Sequence, residues 1–121
     1  MSAYKQNIND IATDLAHNHT TFRKRLISQD EHKGKLATYN YAWLEKGKAL
    51  TPHAHPDGEE FYYFLEGDGS MLVGEEWFSV SAGDFVTIPP KKTHSVKNDN
   101  EKKLVFMAIR TINETGSTIT S

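Results

Sequence analysis

The chain has 121 residues, enough for one domain and too few for a second independent core. Its 14 Lys plus Arg against 16 Asp plus Glu give a formal charge of −2, and the basic residues are dispersed, so nucleic acid is not an expected partner. With 0 cysteines, disulfides and thiolate ligands are excluded, and any bound metal must be held by nitrogen and oxygen.

No segment approaches the roughly 18 apolar residues of a membrane span, and Met1–Leu15 lacks the basic flank and apolar run of a signal peptide. A cytoplasmic protein without a membrane partner is expected. Ile8, Ile11 and Leu15 recur at helical spacing, which predicts a short amphipathic helix or turn over 9–17 with Asn7 or Asn9 as its cap. From Phe22 onward the texture changes to short runs of β-branched and aromatic residues broken every eight to twelve residues by Gly, Pro, Asn or Asp. Strands are predicted at Thr21–Ser28, Lys35–Glu45, Glu59–Leu65, Gly69–Val73, Glu76–Val80, Phe85–Ile88, Thr93–Lys97 and Lys102–Ile112. No helix-length apolar pattern falls between them, so an antiparallel sandwich or barrel is favoured over parallel βαβ units. The expected organisation is an N-terminal helical or irregular arm (1–20), a β-barrel (21–112) and a flexible C-terminal tail (113–121). In the strand beginning near Glu59, Phe61, Tyr63 and Leu65 point one way and Glu60, Tyr62 and Phe64 the other. Both faces are apolar, and a homodimer is the economical way to cover the outer one.

The segment that carries chemistry runs from Gly47 to Gly67. His53 and His55 lie two apart, so in extended chain both imidazoles project from one face and can reach one ion. Pro56-Asp57-Gly58 then turns the chain, Glu60 opens the next strand opposite the histidine pair, and Glu59 points to the other face. His94 supplies a further imidazole from a third strand. Three imidazoles and a carboxylate make a borderline-hard site suited to one divalent iron, manganese, nickel, cobalt, zinc or copper ion, with one or two positions left for water or substrate.

These residues resemble the two motifs of the cupin superfamily. The first reads Gly-x5-His-x-His-x4-Glu-x6-Gly at Gly47, His53, His55, Glu60 and Gly67, and the second places Gly83, Pro89, His94 and Asn98. The resemblance implies an all-β, antiparallel double-stranded β-helix, a jelly-roll or cupin barrel, with His53, His55, Glu60 and His94 as metal ligands. The count back from Gly67 selects Glu60 over Glu59, which would leave one residue too many. Lys91 departs from the second motif, standing where the family has glycine. A lysine held at positive φ there would cost on the order of 1 kcal/mol.

Other residues have plainer expected roles. His17 and His19 form another His-x-His, but no ligand follows at matching spacing, and both are expected to be solvent-exposed bystanders. His32 is expected to be exposed in a charged turn. Tyr39, Tyr41 and Trp43 are expected in core or dimer packing, with cavity lining as the alternative, and Lys48, Lys91 and Lys92 serve loop solubility or draw in an anionic substrate. Tyr62 shares the inward face with Glu60, where it packs the barrel or donates a hydrogen bond or proton to a substrate.

The functional expectation is a metal-dependent enzyme acting on a small, oxygen-rich organic substrate such as a keto acid, sugar derivative or phenolic, with dioxygenase chemistry ahead of isomerisation. The alternatives are a metal-dependent isomerase or lyase, and a non-catalytic small-molecule-binding cupin.

Overall fold

The computed structural model of the protein describes residues 4–28 and 34–112. The expected tail at 113–121 and His32 lie outside the described residues. Among the described residues, nine strands follow one short 3-10 turn: β1 (Asp14–Ala16), β2 (Thr21–Ser28), β3 (Leu36–Leu44), β4 (Glu60–Glu66), β5 (Asp68–Val73), β6 (Glu76–Ser81), β7 (Phe85–Ile88), β8 (His94–Lys97) and β9 (Leu104–Thr111). They form a six-stranded sheet in the order β1-β2-β3-β9-β4-β7 and a three-stranded sheet in the order β6-β5-β8. Pairing is antiparallel throughout these strands. This is the double-stranded β-helix expected from the sequence.

Eight of the nine strands fall where the alternation and turn residues place them. Of the short helix or turn expected over 9–17, only a turn forms, and it starts one residue earlier. Ile8–Asp10 make one 3-10 turn, capped by the Asn7 side chain, whose oxygen accepts from the Asn9 N–H at 2.8 Å. The chain then enters β1, where Asp14 lies opposite Arg23 of β2. Asp14 accepts two hydrogen bonds from that guanidinium, at 2.9 and 3.0 Å. Three apolar residues at helical spacing are too short a pattern to nucleate a helix against such pairing with a neighbouring strand.

The core lies between the sheets. Tyr62 and Phe64 of β4, Met71 of β5, Val96 of β8 and Leu104 and Phe106 of β9 are buried there with Leu44. On β4 the buried set is Glu60, Tyr62 and Phe64, while Tyr63 and Leu65 are exposed on the opposite face. Tyr39, Tyr41 and Trp43 are half-buried on the face of β3 away from Ala42 and Leu44, with Trp43 stacked on Phe22 at 5.3 Å between ring centroids. They therefore pack outside the barrel interior.

Two turns fix the strands that carry the motif residues. Gly58 has φ +74, and a Cβ there would lie 1.8 Å from the Thr111 carbonyl oxygen, so the turn into β4 closes directly against β9. Lys91 takes φ 69, the left-handed conformation that glycine adopts freely. Its N–H donates to the His55 carbonyl at 2.8 Å, which ties the second motif to the first and holds the turn although the residue is lysine. The buried Asn98 completes the frame by donating to the carbonyls of Leu44 and Lys102, at 3.0 and 2.8 Å.

The two turn positions predict opposite outcomes. Gly58→Ala, which combines left-handed strain with a backbone collision, lowers stability by roughly 3 kcal/mol. Lys91→Gly raises it by on the order of 1 kcal/mol. Urea unfolding with an unchanged m-value checks both signs.

Candidate metal centre

Backbone pairing builds the site first. After β3 the chain runs alongside β8 through isolated bridges at Ala49–Lys97 and His53–His94. At the second bridge the two histidines exchange both backbone hydrogen bonds, His53 N–H to His94 O at 3.1 Å and His94 N–H to His53 O at 2.8 Å. Directly opposed residues bring their side chains together, and the two imidazole centroids stand 4.2 Å apart. His55, two residues on, is 5.1 Å from His53 and 5.5 Å from His94 by centroid. Glu60 enters from the other sheet at the start of β4.

His53, His55, Glu60 and His94 each offer one ligand atom, and these atoms all lie within 4.8 Å of one another. His94 and Glu60 are buried, and His53 and His55 are half-buried. Second contacts orient the rings. His53 Nδ1 faces the Thr51 carbonyl at 2.8 Å and His94 Nδ1 faces the Lys92 carbonyl at 3.4 Å. Backbone partners on Nδ1 leave Nε2 to the site, the arrangement by which metal-binding histidines are aimed.

The carboxylate explains what these atoms lack. Glu60 Oε1 is 2.9 Å from His94 Nε2 and 3.3 Å from His55 Nε2, near enough for ion pairing. Glu60 Oε1 and His94 Nε2 are nevertheless buried without a hydrogen bond. Buried polar atoms ordinarily find partners, and a cation held by this group would satisfy both. Burial pushes the Glu60 carboxyl up, but His55 and His94 outweigh it and hold the pKa at about 2, so the group is anionic at neutral pH. Desolvation lowers the His53 imidazole, which keeps it in the neutral form that ligation requires. The residues therefore fit a divalent ion, with donor atoms suited to a borderline transition metal.

Beside this group lies a cavity of about 40 Å³, lined by His17, Thr21, Arg23, Asn40, Glu60 and Tyr62 among others. That is room for about three water molecules. Tyr62 is buried and stacks on Phe106 at 5.1 Å between centroids, with its ring roughly perpendicular to that of His94. Desolvation, with Glu60 second, pushes its hydroxyl pKa well above the usual 10, so the group stays protonated. Lys48, Lys91 and Lys92 are exposed.

The sequence reading of His17 needs correction. His19 is exposed as expected, but His17 is half-buried, and its ring lies 4.7 Å from that of His53. Desolvation first, and then the neighbouring His53, lower its pKa to about 4. Arg23 and Asn40 were also missed as cavity residues, and the Asn40 Oδ1 is buried without a hydrogen bond. Strand parity could have found both, since Arg23 shares a face with Thr21, and Asn40 with Ala42. No local signal announces His17, because its approach depends on the path of the β1–β2 turn.

Comparison with known proteins identifies the family. The Cupin domain family matches residues 41–110. The chain belongs to the cupin family, whose members bind small-molecule ligands. An uncharacterised protein of Methanocaldococcus jannaschii is 36% identical over 75 residues, covering 62% of this chain and 60% of that protein. Glucose-6-phosphate isomerase of Thermococcus gammatolerans is 40% identical over 98 residues, covering 69% of this chain and 50% of the isomerase. The chain thus spans between half and three-fifths of the length of these relatives. A solved structure from Thermotoga maritima, described as a predicted oxalate decarboxylase, superimposes with a TM-score of 0.83 at 21% identity, covering 88% of this chain and 97% of that one. At that identity the likeness concerns the fold. Among the described residues no helix is long and apolar enough to cross a membrane.

The lowered pKa values set the pH response of the metal-free protein. The unfolded chain protonates His17 near pH 6.5, whereas the folded chain does so only near pH 4. Between these values the unfolded state binds more protons, so stability falls as pH drops from 6.5 to 4. Glu60, about 2 when folded against 4.5, adds a loss of the same sign at lower pH. Denaturation midpoints of chelator-treated protein should decline through the upper window, and His17→Phe should flatten that decline.

Proposed function

We propose that this cupin is a metal-dependent enzyme in which His53, His55, Glu60 and His94 hold one divalent transition-metal ion and the substrate is a small, oxygen-rich organic molecule. The observation that carries this reading is the buried pair of Glu60 Oε1 and His94 Nε2, 2.9 Å apart and neither hydrogen-bonded. An ion bound there supplies Lewis-acid or redox chemistry to a chelating oxygen of the substrate. The protein's own residues do the rest. Glu60 brings a full negative charge to the group, the carbonyls of Thr51 and Lys92 fix two imidazoles, and the apolar packing of Tyr62 on Phe106 limits water. We assign Tyr62 the role of hydrogen-bond or proton donor to the substrate, supported by its place in the cavity wall and its firmly protonated hydroxyl.

Oxygenase chemistry is the first assignment, since three imidazoles and a carboxylate suit iron as well as the other divalent metals. A second reading, isomerisation of a sugar or keto-acid derivative, is supported by the 40% identity to a glucose-6-phosphate isomerase over half of that enzyme's length. Tyr62 serves either reaction as a donor to a substrate oxygen.

Metal analysis followed by oxygen uptake with keto acids, diols and catechols separates the readings. Iron with substrate-dependent uptake supports the oxygenase; zinc or manganese without uptake, together with sugar-phosphate interconversion, supports the isomerase. Tight binding without turnover across both panels would make the protein a binding module. His55→Ala should abolish stoichiometric metal while the far-ultraviolet circular dichroism remains that of the barrel, and full metal content in that variant would sink the ligand assignment.

A further inference from the structure

The turn between β1 and β2 is the most strained segment among the described residues. His17, Asn18 and His19 take φ of 54, 59 and 63 in succession. A non-glycine residue in this region costs roughly 1–2 kcal/mol, and such strain persists only where surrounding contacts impose it. Those contacts are present. The Thr20 N–H donates to Ala16 O at 3.1 Å, and the Thr20 hydroxyl donates to His17 O at 2.7 Å. Asn18 Nδ2 reaches across to Thr51 Oγ1 at 3.1 Å, two residues before His53. The Asp14–Arg23 pair clasps the two strands at the base of the turn.

This bracing delivers one imidazole to the candidate centre. The His17 ring lies against His53 and walls the cavity together with Glu60 and Tyr62. It stands outside the group whose ligand atoms lie within 4.8 Å of one another, so it is beside the ion's place and not part of the ligand set. Its ring nitrogens make no hydrogen bond within the described residues. A half-buried imidazole with free nitrogens at a polar cavity has hydrogen-bonding capacity directed at whatever enters.

Resting on the metal reading above, we propose that His17 is a substrate-contacting residue that donates a hydrogen bond to the small anionic or oxygen ligand bound beside Glu60, and that the strained His17–Thr20 turn exists to hold it there. The cavity of about 40 Å³ limits the portion of that ligand inside it to a few heavy atoms, as in a carboxylate or enediol end. His17 then acts as a specificity determinant delivered from outside the two motifs.

The test uses the full chain loaded with cobalt(II), with azide as the probe, its binding read from the visible d–d spectrum and cobalt content measured on the same samples. His17→Phe keeps an aromatic ring against His53 but has no N–H, whereas His17→Gln keeps a donor. The expected result is one cobalt per chain in all three proteins, azide affinity weakened roughly tenfold in His17→Phe, the worth of one hydrogen bond to a charged group, and affinity near that of wild type in His17→Gln. Thr51→Val, which cuts the Asn18 tether, should weaken azide in the same direction. Undiminished affinity in His17→Phe, equal loss in both His17 variants, or cobalt loss from either one overturns the proposal, since the ring would then be idle, mere packing, or a ligand. Unchanged affinity in Thr51→Val overturns the part assigned to the tether. A wild-type cobalt protein blind to azide also overturns the proposal while the metal reading stands. Failure of the wild type to take cobalt sinks the metal reading itself.

Discussion

The candidate centre depends on the bridge at which His53 and His94 exchange both backbone hydrogen bonds. It pairs the segment leaving β3 with the start of β8, so that two chain stretches remote in sequence present their imidazoles face to face. Backbone pairing is geometrically strict, and side chains on directly opposed residues meet without further adjustment. His55 follows from the period of two in extended chain, and Glu60 from the turn that Gly58 closes against Thr111. The left-handed Lys91 belongs to the same constraint, because its N–H bonds to His55 and sets the chain's entry into β8.

The price of this arrangement is a set of polar atoms in the core that the fold alone does not satisfy. Glu60 Oε1 and His94 Nε2 are buried without hydrogen bonds, and each such atom costs roughly 1–3 kcal/mol. The barrel tolerates them because the surrounding layer of Leu44, Phe64, Met71, Leu104 and Phe106 is well buried. An anionic carboxylate among imidazoles at one end of an otherwise apolar core is a local cost that the proposed metal site would account for.

The N-terminal part of the chain adds a second layer to the site. Its 3-10 turn and three-residue strand contribute little to the core, yet the Asp14–Arg23 pair and the Asn18–Thr51 contact brace the turn that carries His17. The motif residues supply the candidate ligands, while the β1–β2 turn, together with Arg23 and Asn40, shapes the space beside them.

The all-β character and the candidate ligands were legible in the sequence because both are written in short-range spacing. Alternation and turn residues marked the strands of the barrel, and His-x-His with Glu60 and His94 could be read by counting along two motifs. What only the tertiary structure decided was whatever rests on contacts between distant segments. The apolar spacing of Ile8, Ile11 and Leu15 pointed to a helix or turn over 9–17, but pairing with β2 draws 14–16 into a strand. Lys91 could be recognised as a departure from glycine, yet its left-handed conformation is imposed by a carbonyl in another segment. His17 looked like a surface residue for the same reason: nothing local in Ala16–Thr20 reports that the turn folds against Thr51, and only that approach places its imidazole beside His53.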